Sequence, residues 1–488
     1  MKPLPSSFSR RRAGRVLSAA LLAALLPAAA APAAEPAFRA GAHAIDVTPT
    51  ELPVRVAGSI RETWREKVTD RLHSRALVLD DGTTKLVIVA VDTCLMDREM
   101  LDSAKAMAAK ATGIPAANML ISATHAHSAP AVMGCHGTEP HLDYRAFLTK
   151  RIAEGVIQAH ANLRRAVIGW GSSDCADYVF CRRWKMKPGT AFSIPFTDAE
   201  TNLAQMNPGN GNQNKLHPLG PADPAVTVLA VKAADGSPLA VLANYSTHYA
   251  GAPDISSDYF GVFAGEMAKR LNVEGRTPAF VGMVSNGASG DANCSDFSLP
   301  KRNKYDRFIV AGAVADAAQR AMEKMTYHDW VPLAAAESLN SFRIRKPTAA
   351  EVAEAQAFLD KNVKGRPIKT WEEDYARETV LLNEWPDSHE LRLQALRIGD
   401  FGVAAAPCEL YGVTGLEIKE ASPLKLTMVV GLANGYSGYL PPPDQFQYGG
   451  YTTWRARSSM LEHQAEPKIR KELNRLLGKT AAASPPQQ

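Results

Sequence analysis

NMLISATHAHSAP, residues 118–130, runs from an apolar segment into two closely spaced histidines. The apolar part, Asn118–Ala123, has the composition of a buried strand. Because alternate side chains of an extended segment point the same way, we expect His125 and His127 to share one face at the end of this strand. Two imidazoles that converge before a proline-terminated loop suit a divalent metal such as zinc. In an arbitrary chain an HxH pair is more often structural than metal-binding, so this segment alone leaves both interpretations open.

Three further parts of the chain combine polar, aromatic and small residues in compact blocks. In chain order they are Asn244–His248 with Ile255–Tyr259, then Ser285–Asp291, then Pro407–Leu410 with Asn434–Tyr439. They resemble the "Asn-aromatic … His … ISGD", "SN-x-GD", "PGE" and "N-x-Y-x-x-Y" elements of the neutral/alkaline non-lysosomal ceramidase family. Blocks in the right order are more specific than any one of them, and together they extend over most of the chain.

The resemblance implies a zinc ion held by two histidines, one glutamate and one tyrosine, which correspond to His125, His248, Glu409 and Tyr439. Histidine nitrogens and a carboxylate are ordinary zinc ligands, and a catalytic site keeps one position open for water or substrate. The residues by themselves leave other roles open. His248 would also suit a buried position at a strand end, Glu409 a helix N-terminus, and Tyr439 a packed aromatic core.

The resemblance also assigns roles to His127 and Arg182 beside the metal. His127 matches the second histidine of the family's HTHSGP, which reads HAHSAP in this chain, and would transfer protons or orient the substrate. Arg182 matches the arginine of a family "NR" element, with Cys181 in place of the asparagine. A fixed guanidinium can stabilise an oxyanion or anchor a substrate, whereas the alternative is a surface cation packed on Trp184.

Asp291 and Asn293 fall in a segment that reads GDVSPN in the family and GDANCS in this chain. Asp291 matches the aspartate, although an acid after Gly290 also suits a turn. Asn293 stands where the family has a serine regarded as essential for ceramide hydrolysis. An asparagine amide is not a nucleophile, but it can donate a hydrogen bond to an oxyanion. Since a metal-activated water needs no serine, the sequence still predicts a hydrolase and leaves open whether ceramide is its substrate.

Composition indicates an exported globular protein. The 488 residues are 46% hydrophobic and 22% charged, which is ordinary for a chain with a large core. Met1–Ala34 has the pattern of a signal peptide, with arginines first, then the apolar Val16–Leu26, then a small-residue cleavage region. We therefore expect a secreted or periplasmic protein, exported by the Sec route or, given the Ser9–Arg12 run, by the twin-arginine route.

The net charge of +5 belongs to this leader. Residues 1–34 hold five of the 55 basic residues and no acidic one, so the mature chain has 50 basic against 50 acidic residues. This balance gives no reason to expect a nucleic-acid or anionic-membrane partner, and no other segment is long and apolar enough to span a bilayer. The expected partner is a small-molecule or lipid-like substrate.

Strand and helix patterns alternate along the chain, which predicts an α/β fold of mixed β-sheets flanked by helices, like the neutral-ceramidase catalytic domain. We expect one metallohydrolase domain over residues 35–480 and a disordered tail over 481–488. Residues 187–222 are predicted to form a long loop over the site, and the helices of 348–383 an insertion. The C-terminal immunoglobulin-like domain of full-length ceramidases is expected to be absent.

The predicted strands are Phe38–Val47, Arg75–Asp80, Lys85–Val91, Asn118–Ala123, Val226–Val231, Leu239–Tyr245, Pro278–Val284, Leu391–Ile398, Gly402–Ala406 and Leu426–Leu432. The predicted helices are Asp97–Ala111, Asp143–Asn162, Tyr259–Leu271, Asp306–Met325, Ala349–Lys361, Trp371–Asn383 and Glu462–Leu477. Asp81–Gly82 is predicted to join the second and third strands as a hairpin. The six cysteines permit up to three disulfides in an exported protein, but free buried cysteines are equally consistent.

These observations predict an exported zinc-dependent hydrolase that cleaves an N-acyl amide with a metal-activated water, in lipid or sphingolipid metabolism by its resemblance. One alternative is another metal hydrolase, such as an amidohydrolase barrel, which also carries HxH after a strand. A second keeps the fold but cuts a glycosidic or ester bond, and a third is a non-catalytic lipid- or glycan-binding relative. A serine hydrolase is disfavoured because Gly435–Tyr439 does not fit the last position of G-x-S-x-G.

Overall fold

The computed structural model describes residues 37–483, so the predicted signal peptide lies outside the described residues. In chain order the strands are β1 Arg39–Asp46, β2 Val54–Val56, β3 Thr63–Arg65, β4 His73–Asp80, β5 Lys85–Val91, β6 Met119–Ala123, β7 Arg164–Asp174, β8 Phe180–Cys181, β9 Arg183–Met186, β10 Ala204–Met206, β11 Lys215–Pro218, β12 Ala225–Ala233, β13 Pro238–Tyr245, β14 Val281–Asn286, β15 Ala292–Asn293, β16 Tyr327–His328, β17 Leu333–Arg343, β18 Ser388–Ile398, β19 Phe401–Ala405, β20 Glu409–Leu410, β21 Leu426–Val430 and β22 Tyr439–Leu440. The helices are α1 Arg98–Thr112, α2 Leu142–Ala161, α3 Asp258–Arg270, α4 Arg307–Glu323, α5 Ala349–Asn362, α6 Trp371–Glu384, α7 Gly412–Glu420 and α8 Ala465–Ala482.

The largest sheet has the strand order β14-β13-β12-β7-β1-β4-β5-β6, with β16 paired to β7. The pairs β5–β6 and β13–β14 are parallel, and their neighbours are joined as antiparallel pairs. The predicted hairpin between β4 and β5 is present. Its turn is closed by the carboxylate of Asp81, which accepts the main-chain N–H groups of Thr83 at 2.8 Å and Thr84 at 2.6 Å.

A second sheet, β17-β18-β19-β21, packs face to face on the first. Alternate residues of β4 point to its two faces. Leu77 and Leu79 pack with Val403 between the two sheets, whereas Val78 points to the other side and packs among helices. Because both faces of such strands are buried, they are apolar along their whole length.

Helices cover the outer faces of both sheets. Helices α1 to α4 pack on the large sheet in one apolar cluster that includes Val89. On the second sheet, α8 presents Ile469, Leu473 and Leu476, whose spacing of four and three residues forms one helical face, to a cluster that includes Leu393. The result is a four-layer α/β/β/α arrangement, and the predicted fold class of mixed sheets flanked by helices is confirmed.

Local side chains define where several helices begin and end. The carboxylate of Asp97 accepts the main-chain N–H of Met100 at 2.9 Å at the start of α1, and Gly113, with a φ of 72°, ends that helix. At the start of α5, Thr348 and Glu351 form a capping box, in which each side chain accepts a hydrogen bond from the other residue's main-chain N–H. The predicted insertion therefore has a well-defined first helix.

Each predicted strand and helix overlaps an observed element, with ends shifted by a few residues. The prediction of a continuous loop over residues 187–222 is wrong in part, because β10 and β11 lie within it and pair with β9. These strands are too short to show a periodic pattern, and their pairing depends on a partner strand elsewhere. The sequence analysis also overlooked β7 and β17. Helix α8 extends to Ala482, and residues 484–488 of the predicted tail lie outside the described part.

The structure also bears on the cysteines and on membrane insertion. All six cysteines are buried, and none forms a disulfide within residues 37–483. Of the two interpretations left open, free buried cysteines are therefore the one observed.

Among the helices of the described chain, none has both the length and the apolar character needed to cross a membrane.

The elements position the candidate residues through strand ends. Strand β6 ends two residues before His125, and β13 ends three residues before His248. Strands β20 and β22 form a separate parallel pair that sets Glu409 beside Tyr439. Residues far apart in sequence are thereby brought to one place.

Candidate metal centre and adjoining cavity

His125 follows β6 with a left-handed backbone, not an extended one. Its φ is 73°, and its main-chain N–H donates to the carbonyl of Thr93 at 2.9 Å. The expectation that strand alternation sets His125 and His127 on one face is therefore wrong, because the strand ends at Ala123. The turn nevertheless brings the Nε2 atoms of the two histidines to within 3.2 Å of each other, so the predicted convergence is present.

Three donor atoms from distant segments meet in the interior. His125 Nε2 lies 3.0 Å from His248 Nε2 and 3.4 Å from Glu409 Oε2, and the latter two atoms are 3.9 Å apart. A tetrahedral ion with bonds of about 2.0–2.1 Å would hold its ligand atoms roughly 3.3 Å apart. Glu409 Oε2 is buried and has no hydrogen-bond partner among residues 37–483. This orphaned oxygen beside two imidazole nitrogens fits a metal ion.

Main-chain carbonyls orient both imidazoles. His125 Nδ1 lies 3.0 Å from the carbonyl oxygen of Cys94, and His248 Nδ1 lies 3.1 Å from that of Ser289. Each Nδ1–H can donate to its carbonyl, which leaves the Nε2 lone pairs directed at the shared centre. The other oxygen of Glu409, Oε1, accepts the hydroxyl of Tyr436 at 3.0 Å, so that carboxylate is held from behind as well.

Protonation in this cluster is set by burial and by mutual charge. Burial lowers the pKa of His248 and of His127 well below the ordinary value, and the neighbouring Arg182 and His125 act in the same direction. Burial would also lower the pKa of His125, but Cys94 and Glu409 outweigh it and raise that pKa to about 10. Neutral imidazoles at His248 and His127 are the form in which histidine binds a metal or accepts a proton.

Tyr439 lies beside the carboxylate that it was predicted to join as a ligand. Glu409 and Tyr439 are paired residues of β20 and β22, and both side chains line the same cavity. The Tyr439 hydroxyl accepts a hydrogen bond from Arg182 Nη2 at 3.4 Å. Burial and the charge of Glu409 raise the pKa of this phenol well above its usual value. The four predicted metal ligands are thus neighbours in the structure.

Arg182 is buried in the cluster, and the alternative of a surface cation on Trp184 is wrong. Its Nη2 donates to the carbonyl of Gly290 at 2.9 Å and lies 3.4 Å from His248 Nε2. Its Nε is buried and has no hydrogen-bond partner within the described chain. A guanidinium held in this way is a fixed positive charge next to the donor atoms.

His127 is held by contacts on two sides. Its Nδ1 lies 3.2 Å from the carbonyl of Gly58, and its ring stacks on Tyr249 with a centroid separation of 3.9 Å. The backbone of Gly58 approaches so closely that a Cβ built on that residue would lie 2.1 Å from His127 Nδ1. His127 Nε2 is therefore fixed beside His125.

Asp291 and Asn293 lie behind the cavity and do not line it. The carboxylate of Asp291 accepts the main-chain N–H of Gly412, at the start of α7, at 2.7 Å, and its carbonyl accepts the N–H of Arg182 at 2.7 Å. Burial raises the pKa of Asp291 to about 6. Asn293 Nδ2 donates to the side-chain oxygen of Asn207 at 2.8 Å, and Asn207 does line the cavity. Both predicted residues thus reach the site through another residue.

The donor atoms open into a cavity of about 320 Å³, which is at the small end of the range of roughly 300–1,000 Å³ for ligand sites. Besides His125, His127, His248, Glu409, Tyr439 and Arg182, its walls include Gly58, Ser59, Ile60, Leu95, Asn207, Tyr249, Trp371, Tyr436, Tyr451 and His136. The sequence analysis gave none of these residues a role. Tyr249 and Tyr436 carried a signal, since they stand next to or within the quoted blocks, whereas the others come from loops and an insertion without a distinctive pattern.

Comparison with known proteins agrees with this fold. No family model matches the sequence, and no curated protein matches it significantly. Among solved structures, the chain is similar to the neutral ceramidase from Pseudomonas aeruginosa, with 16% identity, a TM-score of 0.64, and coverage of 90% of this chain and 74% of that one. It is also similar to a ceramidase complexed with C2, with 15% identity, a TM-score of 0.65, and coverage of 93% and 76%.

The similarity to these structures covers nearly the whole described chain at low sequence identity. It excludes the amidohydrolase barrel, since the sheets are layered and do not close around a central axis. The protein therefore has the fold of the neutral ceramidases, as the sequence resemblance predicts. His125, His248 and Glu409, called the metal-type cluster below, lie at the wall of a small cavity.

Proposed function

We propose that the protein is an exported zinc-dependent hydrolase that cleaves an N-acyl amide. The observation that carries this proposal is the convergence of His125 Nε2, His248 Nε2 and the orphaned Glu409 Oε2 at the wall of a cavity. The shared fold of the ceramidases supports it. A buried carboxylate oxygen without a hydrogen bond is costly, and a bound cation would offset part of that cost.

In this proposal His125, His248 and Glu409 hold the zinc, with Tyr439 as the fourth ligand. Zinc, when bound, supplies Lewis acidity, which polarises a substrate carbonyl and makes water nucleophilic near neutral pH. Two imidazoles and one carboxylate form a donor set common in catalytic zinc sites, and binding of the ion would displace the proton that the raised pKa places on His125.

His127 is the proton-transfer group of the proposed reaction. With Nδ1–H donated to the carbonyl of Gly58, its Nε2 is free to accept a proton from the attacking water and to deliver it to the departing amine nitrogen. Stacking on Tyr249 keeps the ring from rotating away. With its ring fixed in this way, His127 could both transfer protons and orient the substrate, the two roles that the resemblance implies.

Arg182 stabilises the developing oxyanion in this proposal, because its guanidinium is held beside His248 and Tyr439. Asp291 fixes the main chain of Arg182, and Asn293 fixes Asn207 at the cavity wall. In this view Asp291 and Asn293 are positioning residues.

The cavity favours an amide over a glycosidic bond. Glycosidases ordinarily use two carboxyl groups on either side of the scissile bond. Glu409 is the one carboxylate among the described residues that line this cavity, and it belongs to the metal-type cluster. Four aromatic side chains, together with Ile60 and Leu95, give part of the remaining wall an apolar character, which suits an acyl chain.

The test is metal analysis combined with a hydrolysis panel on the mature protein. Wild type should contain zinc and hydrolyse at least one N-acyl amide from a panel of amides, esters and glycosides. Glu409→Gln should lose both metal and activity, whereas Glu390→Gln, at an exposed position on β18, should keep both. Activity confined to an ester or glycoside would refute the amide proposal, and inactivity with zinc bound would favour a binding protein.

A further inference from the structure

A second part of the cavity wall, away from the metal-type cluster, contains a histidine and a tryptophan. His136, from the loop before α2, and Trp371, the first residue of α6, both line the cavity. The wall that they form therefore depends on the helices predicted as an insertion. Ring centroids of Tyr439 and Tyr451 lie 5.8 Å apart, and those of Tyr451 and Trp371 also 5.8 Å, so an aromatic row joins this wall to the metal-type cluster.

His136 is held by a buried carboxylate from α6. Its Nδ1 donates to Asp374 Oδ2 at 2.7 Å, and the side chain of Asp374 is fully buried. Asp374 Oδ1 is buried without a hydrogen-bond partner among the described residues. The His136 side chain is 17% exposed, and its Nε2 has no hydrogen-bond partner in residues 37–483. This nitrogen is therefore available to a molecule in the cavity.

The charges around His136 favour its cationic form. Burial would lower its pKa, but the charge of Asp374 and the hydrogen bond to it raise the pKa above the ordinary value. Glu378 acts in the same direction, while Arg457 opposes both. Glu378 is itself paired with Arg457, whose Nη2 donates to Oε1 at 2.6 Å and whose main-chain N–H donates to Oε2 at 2.9 Å.

The same contacts argue against a second metal site. His136, Asp374 and Glu378 lie close enough to share an ion. Both oxygens of Glu378, however, are occupied by Arg457, so removing that carboxylate from its partner would leave a buried arginine uncompensated. The hydrogen bond from His136 to Asp374 is instead the common arrangement in which a carboxylate orients an imidazole towards a ligand.

Cavity size and charge indicate what His136 contacts. About 320 Å³ is small for a lipid with two long chains. Glu409, with the proposed zinc, and Arg182 belong to the reacting end of the cavity, and of the described residues on the rest of the wall only histidines are charge-bearing groups. An imidazolium beside an apolar aromatic row suits a substrate with an acyl group and an anionic oxygen group close to the scissile bond.

We propose that His136, oriented by Asp374, is a substrate-recognition residue that binds the carboxylate of an N-acyl amino acid. The acyl group lies along the row of Tyr439, Tyr451 and Trp371, and the carboxylate accepts a hydrogen bond from His136 Nε2. This substrate class rests on the proposed amide hydrolysis. It differs from a ceramide, which has no carboxylate.

The experiment compares two ligands that cannot be hydrolysed. The ketone 4-oxononanoate replaces the amide nitrogen of N-hexanoylglycine with a methylene group, and 4-oxononanamide has the same chain with a neutral carboxamide in place of the carboxylate. Isothermal titration calorimetry on the metal-loaded mature protein should show about 10-fold tighter binding of the carboxylate, as expected for one charge-assisted hydrogen bond. Equal affinities for the two ligands in wild type would overturn the proposal.

Variants separate His136 from other cationic groups. His136→Asn should lose the preference for the carboxylate, and asparagine tolerates the left-handed φ of 52° at this position. Asp374→Asn should reduce the preference, because the imidazole loses its charged partner. His217→Asn, at an exposed site on β11, is the matched control and should keep the preference. A preference that survives in folded His136→Asn would assign the carboxylate to another residue and refute the proposal.

A crystal structure of wild type with 4-oxononanoate decides the case if His136→Asn does not fold. The proposal requires the carboxylate within hydrogen-bond distance of His136 Nε2, and a carboxylate bound elsewhere contradicts it. Hydrolysis of N-hexanoylglycine is measured separately. If the protein prefers the carboxylate ligand but does not hydrolyse N-hexanoylglycine, the recognition role of His136 stands and cleavage of this amide is refuted. If the protein hydrolyses N-hexanoylglycine but shows no preference for the carboxylate ligand, amide cleavage stands and the recognition role is refuted.

Discussion

Glu409 and Tyr439 lie directly opposite each other in a parallel ladder of only two residue pairs. Main-chain hydrogen bonds hold this ladder, from Glu409 N–H to the carbonyl of Gly438 at 3.0 Å and from Tyr439 N–H to that of Ser458 at 2.7 Å. The relative position of these two predicted ligands is therefore set by the backbone. Side-chain substitutions at either position should change the donor set while leaving its frame in place.

His248→Ala should abolish stoichiometric metal binding, because the remaining donors cannot complete the site. Wild type should contain about one zinc per mature chain when measured by inductively coupled plasma mass spectrometry. His217→Ala removes an exposed histidine and should leave the metal content unchanged. Full metal content in both His125→Ala and His248→Ala would show that the site is wrongly assigned.

Gly58→Ala should reduce turnover by about 10²-fold, since the new methyl group must displace His127 from its position. The metal content should stay at the wild-type level, because Gly58 does not contact the proposed ligands. Gly236→Ala is the matched control, since Gly236 has a similar φ of 83° but no atom within 4 Å of the added Cβ. Equal losses of turnover in the two variants would attribute the effect to backbone strain.

Asn293→Ala should reduce turnover only about 5- to 10-fold, the usual effect of losing one neutral hydrogen bond. The reason is that Asn293 reaches the cavity through Asn207. A residue that contacted the oxyanion directly would give a loss of about 10²–10³-fold. Asn207→Ala should be at least as damaging as Asn293→Ala, and the double variant should add little, since the two act as one unit. Additive losses in steady-state kinetics would contradict this coupling.

Lys105 makes stability depend on alkaline pH. Burial, assisted by Arg392, lowers its pKa to about 8 in the folded protein, while its Nζ donates to Asn434 Oδ1 at 2.8 Å. The unfolded chain binds more protons between about pH 8 and 10.5, so the free energy of unfolding should rise with pH in this window. Relative to Lys105→Met, wild type should gain about 2 kcal/mol between pH 7.5 and 9.5. Urea denaturation checks this, and a parallel pH profile in the variant would contradict it.

The mature protein should begin between about Ala31 and Ala37 and lie outside the cytoplasm, from the order of basic, apolar and small-residue regions. N-terminal sequencing of protein recovered from the medium or periplasm tests this directly. An intact Met1 on exported protein would show that the leader is kept as an anchor. Replacing Arg11 and Arg12 by lysine would block export by the twin-arginine route and leave Sec export largely unaffected.

The strands that sequence patterns located best are those buried on both faces. β5, Lys85–Val91, is apolar along its length and was predicted with its observed bounds. β10 and β11 were missed because short strands gain their hydrogen bonds from β9 and have no periodicity of their own. The apolar pattern of the sequence is therefore enough to locate a strand that is buried along its whole length. The pairing of short strands depends on the tertiary structure instead.

The candidate site shows the same division. His125, His248 and Glu409 could be named because each stands in a block that resembles a family element. Gly58 and Trp371 could not, since their contribution depends on how a loop and an inserted helix fold back over those strand ends. The left-handed turn at His125 could not be predicted either, because a positive φ is uncommon for any residue other than glycine, histidine included.

Two donors of the cluster follow β6 and β13 and the third begins β20, which lies more than half of the described chain after β6. No shorter piece that stops before Glu409 can assemble the set, so capture of the proposed ion has to follow folding of the chain through β20. The compartment in which the chain folds therefore decides which metal supply loads it. A chain threaded unfolded through the Sec channel would be loaded outside, whereas a chain carried folded by the twin-arginine system would be loaded in the cytoplasm before it leaves.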